Sequence, residues 1–390
     1  MFSATDYSHM ARAMRLAERG LFTTQPNPRV GCVIAHSDGI VGEGSHERAG
    51  GPHAEVFALR EAADRARGAT AYVTLEPCGL HGRTPPCADA LIAAGIARVV
   101  IASEDADQRS GGALDRLRGA GVVVETGLMH DAARELNRGF FSRIERGRPW
   151  LRIKLAMSLD GRTALANGES KWITGDAARA DVQRWRARSS AILTGIGTVL
   201  ADNPALTLRK NRSRSHLSAT ATAHRECRPK DDSAPTFPAD PTFDPAFPLR
   251  VVLDRQLRTP RGAQVLDGAA PTLLLHGCEA NADDDRFARA ECAAVETGAN
   301  GLNLRQVLGM LAARGMNEVQ VEAGSTLCGA LFEAGLVDEL LLYVAPVLLG
   351  DTARPLLALP ALSDMAARWK LKVIDRRQVG DDLRLLLRHA

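Results

Sequence analysis

Aromatic residues make up only 4% of this 390-residue chain, and nowhere do they interleave with a run of lysine and arginine. With a net charge of just +3, that scarcity argues against a nucleic-acid partner, which needs a basic groove and stacking platforms. Apolar runs are short as well. None approaches the roughly 18 residues of a membrane span, and the opening MFSATDYSHMARAMRLAERG has no apolar stretch of signal-peptide length. A cytoplasmic protein without a membrane partner is the expectation. Cysteines are few and odd in number, seven in all, which excludes a disulfide framework and suits a reducing compartment. What the chain does hold is 45% hydrophobic residues, enough for a sizeable core over a length that suggests two or three domains.

Two of the cysteines, Cys78 and Cys87, lie in LEPCGLHGRTPPC (75–87), just after the apolar run Ala71 to Leu75. Their surroundings alternate between helical and strand patterns. DYSHMARAMRLAERG places Met10, Ala13, Met14, Ala17 and Leu21 at helical spacing; VGCVIA (30–35) and GIVGEG (39–44) read as a hairpin about Ser37-Asp38-Gly39. Helices are expected over 53–66, 86–95 and 112–119, and strands over 69–76, 98–103 and 121–126. This is a three-layer α/β pattern whose second half is parallel. In such a sheet, strand ends and helix starts share one edge, so His53, Cys78 and Cys87 can converge there. A helix start also favours thiolate over thiol.

Three N/S ligands leave one position of a tetrahedral zinc for water, the arrangement of a catalytic site. Zinc makes that water acidic enough to ionise near neutral pH, and Glu55, two residues from His53, is placed to carry its proton to a leaving amine. The order H-x-E then P-C…C matches zinc deaminases, with the eight-residue GLHGRTPP between the cysteines in place of two residues. Taken singly, each residue is more often a core thiol or histidine. A closed structural zinc with His81 as fourth ligand would leave Glu55 without a role.

RIERGRPW (143–150) marks a boundary, giving domains at 1–146 and 147–390. The second half shows strands at 150–159, 249–254, 270–276, 318–324 and 338–348, a helix at 176–189, and a strand with a turn over 190–200. Residues 210–248, rich in Ser, Thr, Pro and charge, are expected to be a mobile insertion. Gly195-x-Gly197 is an incomplete dinucleotide fingerprint. EAGSTLCGALFEAG places a glycine turn, Gly324-Ser325-Thr326, before a helix from about Leu327; its amides can cradle a phosphate, or the turn can be a plain cap.

PNPRVGCVI, HAEVFAL, VTLEPC, HGRTPPC and DALIAAG together resemble the deaminase half of the bifunctional riboflavin-biosynthesis deaminase/reductase, over residues 6–145. KLAMSLDGRTA, GESKWIT, ILTGIGTVLADNPALTLR, VEAGSTLCGALFEAGLVDEL and YVAPVLLG resemble its reductase half. The fold class expected is α/β throughout: an N-terminal three-layer cytidine-deaminase-like domain and a C-terminal dihydrofolate-reductase-like domain. The resemblance implies zinc on His53, Cys78 and Cys87, Glu55 as proton carrier, and a diamino-pyrimidinone bearing a phosphoribosylamino group, deaminated and then reduced by NADPH from ribosyl to ribityl. Cofactor contacts carried over are Ala156, Trp172, Thr198, Asp202 and the turn Gly324, Ser325, Thr326, Leu327, Cys328, Gly329 and Ala330. Substrate contacts are Ser170, Arg186, Leu206, Arg209 and Glu322, with an arginine pair suited to phosphate. Asn27 is a candidate for the pyrimidine edge, and Arg83 for the phosphate. Gly79-Leu80 stands where the family has Ser-His. A homo-oligomer is expected. Rival readings are a nucleoside or tRNA deaminase with an accessory domain and a non-catalytic zinc-stabilised binding protein.

Overall fold

Alternation along single strands decides the first layer system. A computed structural model of the chain describes residues 1–80, 86–106, 111–208, 248–299 and 301–390. Helix α1 (Ala4–Ala17) starts with a reciprocal cap between Ser3 and Asp6, and is followed by β1 (Gly31–His36), β2 (Gly39–Ser45), α2 (Ala54–Ala62), β3 (Thr70–Val73), α3 (Cys87–Ala93), β4 (Arg98–Ile101), α4 (Ala113–Gly119) and β5 (Val123–Thr126). The strands form one sheet in the order β2-β1-β3-β4-β5, with β1 antiparallel to both neighbours and β3, β4 and β5 parallel. On β1, Cys32 and Ile34 enter the core beneath α2, α3 and α4, while Val33 and Ala35 face Met10, Ala13 and Met14 of α1. Tyr72 and Val100 take the α1 side, and Ala71, Val73, Val99 and Ile101 the other. Period-2 side chains with both faces apolar need helices on both sides, hence three layers.

Helices α5 (His130–Leu136) and α6 (Arg138–Arg146), which the sequence reading does not contain, lead to the second half. Ala133 of α5 joins the α1-side core, and Phe140 and Phe141 of α6 pack on Leu75. There follow β6 (Trp150–Ser158), β7 (Arg162–Ala164), α7 (Asp176–Ala187), β8 (Ala191–Gly195), α8 (Ile196–Asp202), β9 (Leu249–Leu253), β10 (Thr272–Gly277), β11 (Glu291–Val295), the two-residue β12 (Thr297–Gly298) and β13 (Gly301–Leu302), α9 (Leu304–Ala313), β14 (Glu318–Val321), α10 (Ser325–Glu333), β15 (Glu339–Ala345), β16 (Arg354–Pro355), β17 (Leu371–Val379) and β18 (Asp382–His389). Nine of these strands make one sheet, β11-β10-β9-β8-β14-β6-β15-β18-β17, parallel from β11 to β15 and antiparallel across the C-terminal pair.

Leu151, Ile153 and Leu155 of β6 join Val319, Val321, Leu193 and Val251 in the core covered by α9 and α10. The opposite face carries Arg152, Lys154, Glu318, Gln320 and Glu322. Residues 196–202 are helical where a turn was expected: strand β8 stops at Gly195, which becomes the helix N-cap, and in α8 only Val199 is buried, so neighbouring structure overrides a β-branched stretch. The C-terminal hairpin of β17 and β18 also lies beyond the sequence reading. The insertion expected at 210–248 falls outside the described residues apart from Pro248, as do Arg209, Arg83 and His81. Among the described residues no helix is long and apolar enough to cross a membrane.

The two sheets meet across buried charge. Glu318, fully buried, receives Arg29 from the N-terminal half at 2.9 Å and Arg152 and Arg188 from its own half at 2.8 and 3.2 Å; Arg138 of α6 lies 3.8 Å away. Glu339 takes Arg152 at 2.7 Å and Arg138 at 3.2 Å. Burial alone would raise Glu318, but the arginines outweigh it and hold the carboxyl well below its usual range.

Candidate active sites

Helix α2 brings the first site together because it lies almost on the sheet. Gly42 and Gly44 sit on the same face of β2 beneath it, and a Cβ at Gly44 would stand 2.0 Å from the Ala54 carbonyl oxygen. Only Gly on the strand and Ala54, Ala58 and Ala62 on the helix permit that approach. His53 is the N-cap residue of α2, Cys87 the first residue of α3, and Cys78 lies in the loop after β3. His53 Nδ1 stands 3.2 Å from Cys87 Sγ and 3.5 Å from Cys78 Sγ; the Cys87 amide donates to Cys78 Sγ at 3.3 Å. One ligand atom from each residue falls within 4.8 Å of the other two. Zinc bonds of about 2.0–2.3 Å at tetrahedral angles put ligand atoms roughly 3.3–3.8 Å apart, so the trio fits the ion as it stands.

Glu55 completes the site. It is 3% exposed, its Oε2 has no hydrogen-bond partner, and burial raises its pKa above the usual carboxylate range. A buried carboxylate oxygen without a partner is expensive unless it serves something, and here it adjoins the cysteine pair. The Cys87 hydrogen bond, then His53, lower Cys78 to about 4, while the same bond and burial push Cys87 up. The shared bond thus favours the thiolate on Cys78 and the thiol on Cys87.

Asn27, expected near the pyrimidine, lies beside this cluster. Its Nδ2 donates to His46 Nε2 at 3.1 Å; His46 Nδ1 in turn donates to the Pro52 carbonyl at 2.9 Å, and the ring meets His53 edge-on with centroids 5.5 Å apart. Burial lowers His46, in keeping with the neutral tautomer these bonds require. Sequence reasoning missed His46, since a histidine ending a glycine-rich strand carries no spacing signal. Leu80 of the Gly79-Leu80 departure is half exposed and packs on Gly111, where a Cβ would come within 2.4 Å of it.

The second site is a cleft of about 1130 Å³ at the carboxyl ends of β6, β8 and β14. Strand ends of a parallel sheet leave main-chain groups and helix starts facing one crevice, which is where ligands of such sheets bind. Ala156, Trp172, Thr198, Asp202, Gly324, Ser325, Thr326, Leu327 and Ala330 line it, as do Ser170, Arg186, Leu206 and Glu322. Cys328 and Gly329 do not. They face the other way, Cys328 fully buried in the main core and Gly329 so near the Ala358 carbonyl that a Cβ would stand 2.2 Å from it. A helix turns successive side chains by about 100°, so a run of seven cannot all face one cleft. Helix α10 begins at Ser325, two residues before the sequence reading placed it, and Gly324 caps it without a side-chain bond. Its first amides are therefore open to a phosphate.

Arg186 and Glu322, read separately from the sequence, form one unit. The guanidinium meets the carboxylate twice at 2.7 Å and donates to the Thr207 carbonyl at 2.9 Å. Burial would raise Glu322, but Arg186 and Lys154 hold it at about 2. Lys154, a second residue the sequence reading missed, is partly buried on β6 and lines the cleft, and desolvation lowers its pKa against the pull of Glu322. Arg186 is thus already engaged where a phosphate contact was expected.

Residues 3–103 match the family model of the cytidine and deoxycytidylate deaminase zinc-binding region, and residues 149–385 that of the RibD C-terminal domain. The riboflavin biosynthesis protein RibD of Escherichia coli is 46% identical over 98% of this chain and 99% of its own, and that of Haemophilus influenzae 42% over 98% and 97%. Among solved structures, Acinetobacter baumannii RibD superposes with a TM-score of 0.85 at 40% identity over 99% of both chains. A Thermotoga maritima diaminohydroxyphosphoribosylaminopyrimidine deaminase/5-amino-6-(5-phosphoribosylamino)uracil reductase does so with 0.81 at 30%, over 99% of each. The chain joins a cytidine-deaminase-like domain to a dihydrofolate-reductase-like domain, and it belongs to the bifunctional riboflavin-biosynthesis deaminase/reductase family.

Proposed function

We propose that the chain hydrolyses an amine from a phosphorylated diamino-pyrimidinone in its N-terminal domain and reduces the ribosyl group of the product with NADPH in its C-terminal domain, the two dividing at residues 146 and 147. The observation that carries the first half is the convergence of His53, Cys78 and Cys87 on a buried Glu55 with an unpartnered oxygen. His53, Cys78 and Cys87 would hold zinc, which would supply a water that ionises near neutral pH. Glu55 Oε2 would take the proton that this water gives up and hand it to the exocyclic nitrogen, while the hydroxide forms the new C–O bond and the C–N bond breaks to release ammonia. Burial suits this role, since desolvation raises the Glu55 carboxyl and so makes it a better proton acceptor. Asn27 and the neutral His46 lie where the pyrimidine edge would be read.

When bound in the second domain, NADPH would supply the hydride. Ala156, Trp172, Thr198, Asp202 and the first turn of α10 from Gly324 to Leu327, with Ala330, hold it; Ser170, Leu206, Arg209 and the Arg186–Glu322 unit hold the substrate. Lys154 beside that unit offers a cation or a neutral amine to the ribose end. The protein is read as a cytoplasmic homo-oligomer: β17 is an unpaired edge strand, and Val373, Ile374 and Leu383 expose apolar side chains on the terminal hairpin.

Zinc-loaded protein, given the diamino-pyrimidinone substrate, should release ammonia without NADPH and oxidise NADPH only once deamination has occurred. Zinc-loaded, folded protein that releases no ammonia would overturn the reading.

A further inference from the structure

Residues 23–29, TTQPNPR, run between the zinc site and the other domain. On one side they belong to the deaminase. The Asn27 amide nitrogen donates to the Thr24 carbonyl at 2.8 Å, the Thr23 hydroxyl donates to the Glu47 carbonyl, and the Asn27 side chain meets His46, which leans on the zinc ligand His53. On the other side they are held by the reductase. The Gln25 amide donates to the Arg188 carbonyl and accepts from the Ser190 hydroxyl; the Pro26 carbonyl accepts from Asn317 Nδ2 at 2.9 Å; Arg29 meets Glu318 at 2.9 Å. Three residues of the five from Gln25 to Arg29 are thus fixed by the partner domain, and Asn27 sits among them.

We infer that the reductase domain is a structural part of the deaminase site, and that Gln25 is a positioning residue for deamination acting through Asn27. A short loop tied on one side only would share its conformations among several wells, and substrate binding would have to order it at the expense of affinity. Bonds to Arg188, Ser190, Asn317 and Glu318 order it during folding instead, so the Asn27 amide waits in place. The Ser190 hydroxyl strengthens the anchor, since it also accepts from the Asn317 amide at 2.9 Å and so belongs to the strand framework of the reductase. Deamination then depends on the docking of two domains whose chemistries are separate, which gives a physical reason for one chain to carry both.

The inference rests on the reading of Asn27 as a substrate contact, and the test separates the two. In the full chain, loaded with zinc, Gln25→Ala, Asn27→Ala and the double variant are compared for zinc content, deaminase kcat and KM, and reductase turnover of already deaminated substrate. Gln25→Ala should raise the deaminase KM about tenfold, equivalent to about 1.4 kcal/mol, with zinc content, deaminase kcat and reductase turnover unchanged. The double variant should be no worse than Asn27→Ala alone, because a residue acting through another is not additive with it. Additive losses, or a silent Gln25→Ala beside a raised KM in Asn27→Ala, would overturn the positioning role and leave the Asn27 contact standing. If Asn27→Ala is itself silent, that contact falls, and this inference with it. Asn317→Ala, which releases Pro26 from the same side, guards against a folding artefact: it too should raise the deaminase KM, and equal loss of both activities in both variants would refute the inference.

Discussion

Glu318→Gln tests the union of the two domains. Glu318 is fully buried, and Arg29, Arg152 and Arg188 reach it at 2.9, 2.8 and 3.2 Å with Arg138 at 3.8 Å. Glutamine keeps the shape and removes the charge. Glu339 still serves Arg152 and Arg138, at 2.7 and 3.2 Å, which leaves the buried Arg29 and the largely covered Arg188 without a counter-charge. Removing one partner from a buried ion pair costs about 3–5 kcal/mol, and Arg29, 4% exposed, has little water to take the place of Glu318. For domains of this size each kcal/mol moves Tm by about 2–4 °C, so the variant should melt on the order of 10 °C lower at pH 7. Calorimetry gives a second sign. Arg29 comes from one domain and Arg188 from the other, so the parent should unfold the two domains together and the variant should melt them apart.

The dependence on pH has a definite direction. The folded pKa of Glu318 lies well below 4.5, so its contribution is fully present above that value and fades as the pH falls beneath it. Parent and variant should therefore differ most near neutrality and converge in acid. A Tm within about 2 °C of the parent at pH 7 would refute this account, since it would mean the arginines find water or relax at little cost.

Other outcomes follow from the two sites. Glu55→Gln should retain zinc by metal analysis yet lose on the order of 10²-fold or more in ammonia release, the usual effect of removing a general acid/base. Cys87→Ala should lose zinc and deamination together, while turnover of already deaminated substrate with NADPH continues, because the second cleft takes none of its walls from the first domain. Lys154→Met, which keeps the length of a partly buried side chain and removes its charge beside Glu322, should lower reductase kcat/KM by roughly ten- to a hundredfold, the range of a hydrogen bond to a charged group, and leave ammonia release unchanged.

The cluster of His53, Cys78 and Cys87 was legible because its signals are local. His53 and Glu55 lie two residues apart at a helix start, and both cysteines lie where a strand ends or a helix opens, so a one-dimensional reading already places them on one edge of the sheet. The alternation of β1 was legible for the same reason, since Cys32 and Val33 report opposite faces within one short run. Cys328 and Gly329 show the limit of carrying a continuous motif onto a helix: proximity in sequence to Ser325 and Thr326 does not survive the turn of the backbone. The Arg186–Glu322 unit and the Gln25 anchor escaped because each joins segments more than a hundred residues apart, and no local pattern records such a pairing.

One trace of the interdomain cluster was nevertheless present. WLRIKLAMS and EVQVEAG each place polar or charged side chains at alternate positions, Arg152 and Lys154 in one, Glu318, Gln320 and Glu322 in the other. Taken alone, such alternation describes a strand with one face in water. Yet both segments are central strands of a sheet that the βα alternation requires to be parallel, and parallel sheets are covered on both faces. The two inferences conflict unless the polar face is buried against charges of its own, and opposite signs on the two strands supply them: Arg152 pairs with Glu318 across the β6–β14 ladder at 2.8 Å. Charge at alternate positions in a strand that must be central is therefore a sequence signal for a buried ionic interface. Here that interface is completed by Arg29 and Arg138 of the other domain, and the same polar strip continues along the sheet from Glu318 through Gln320 to Glu322 in the reductase cleft.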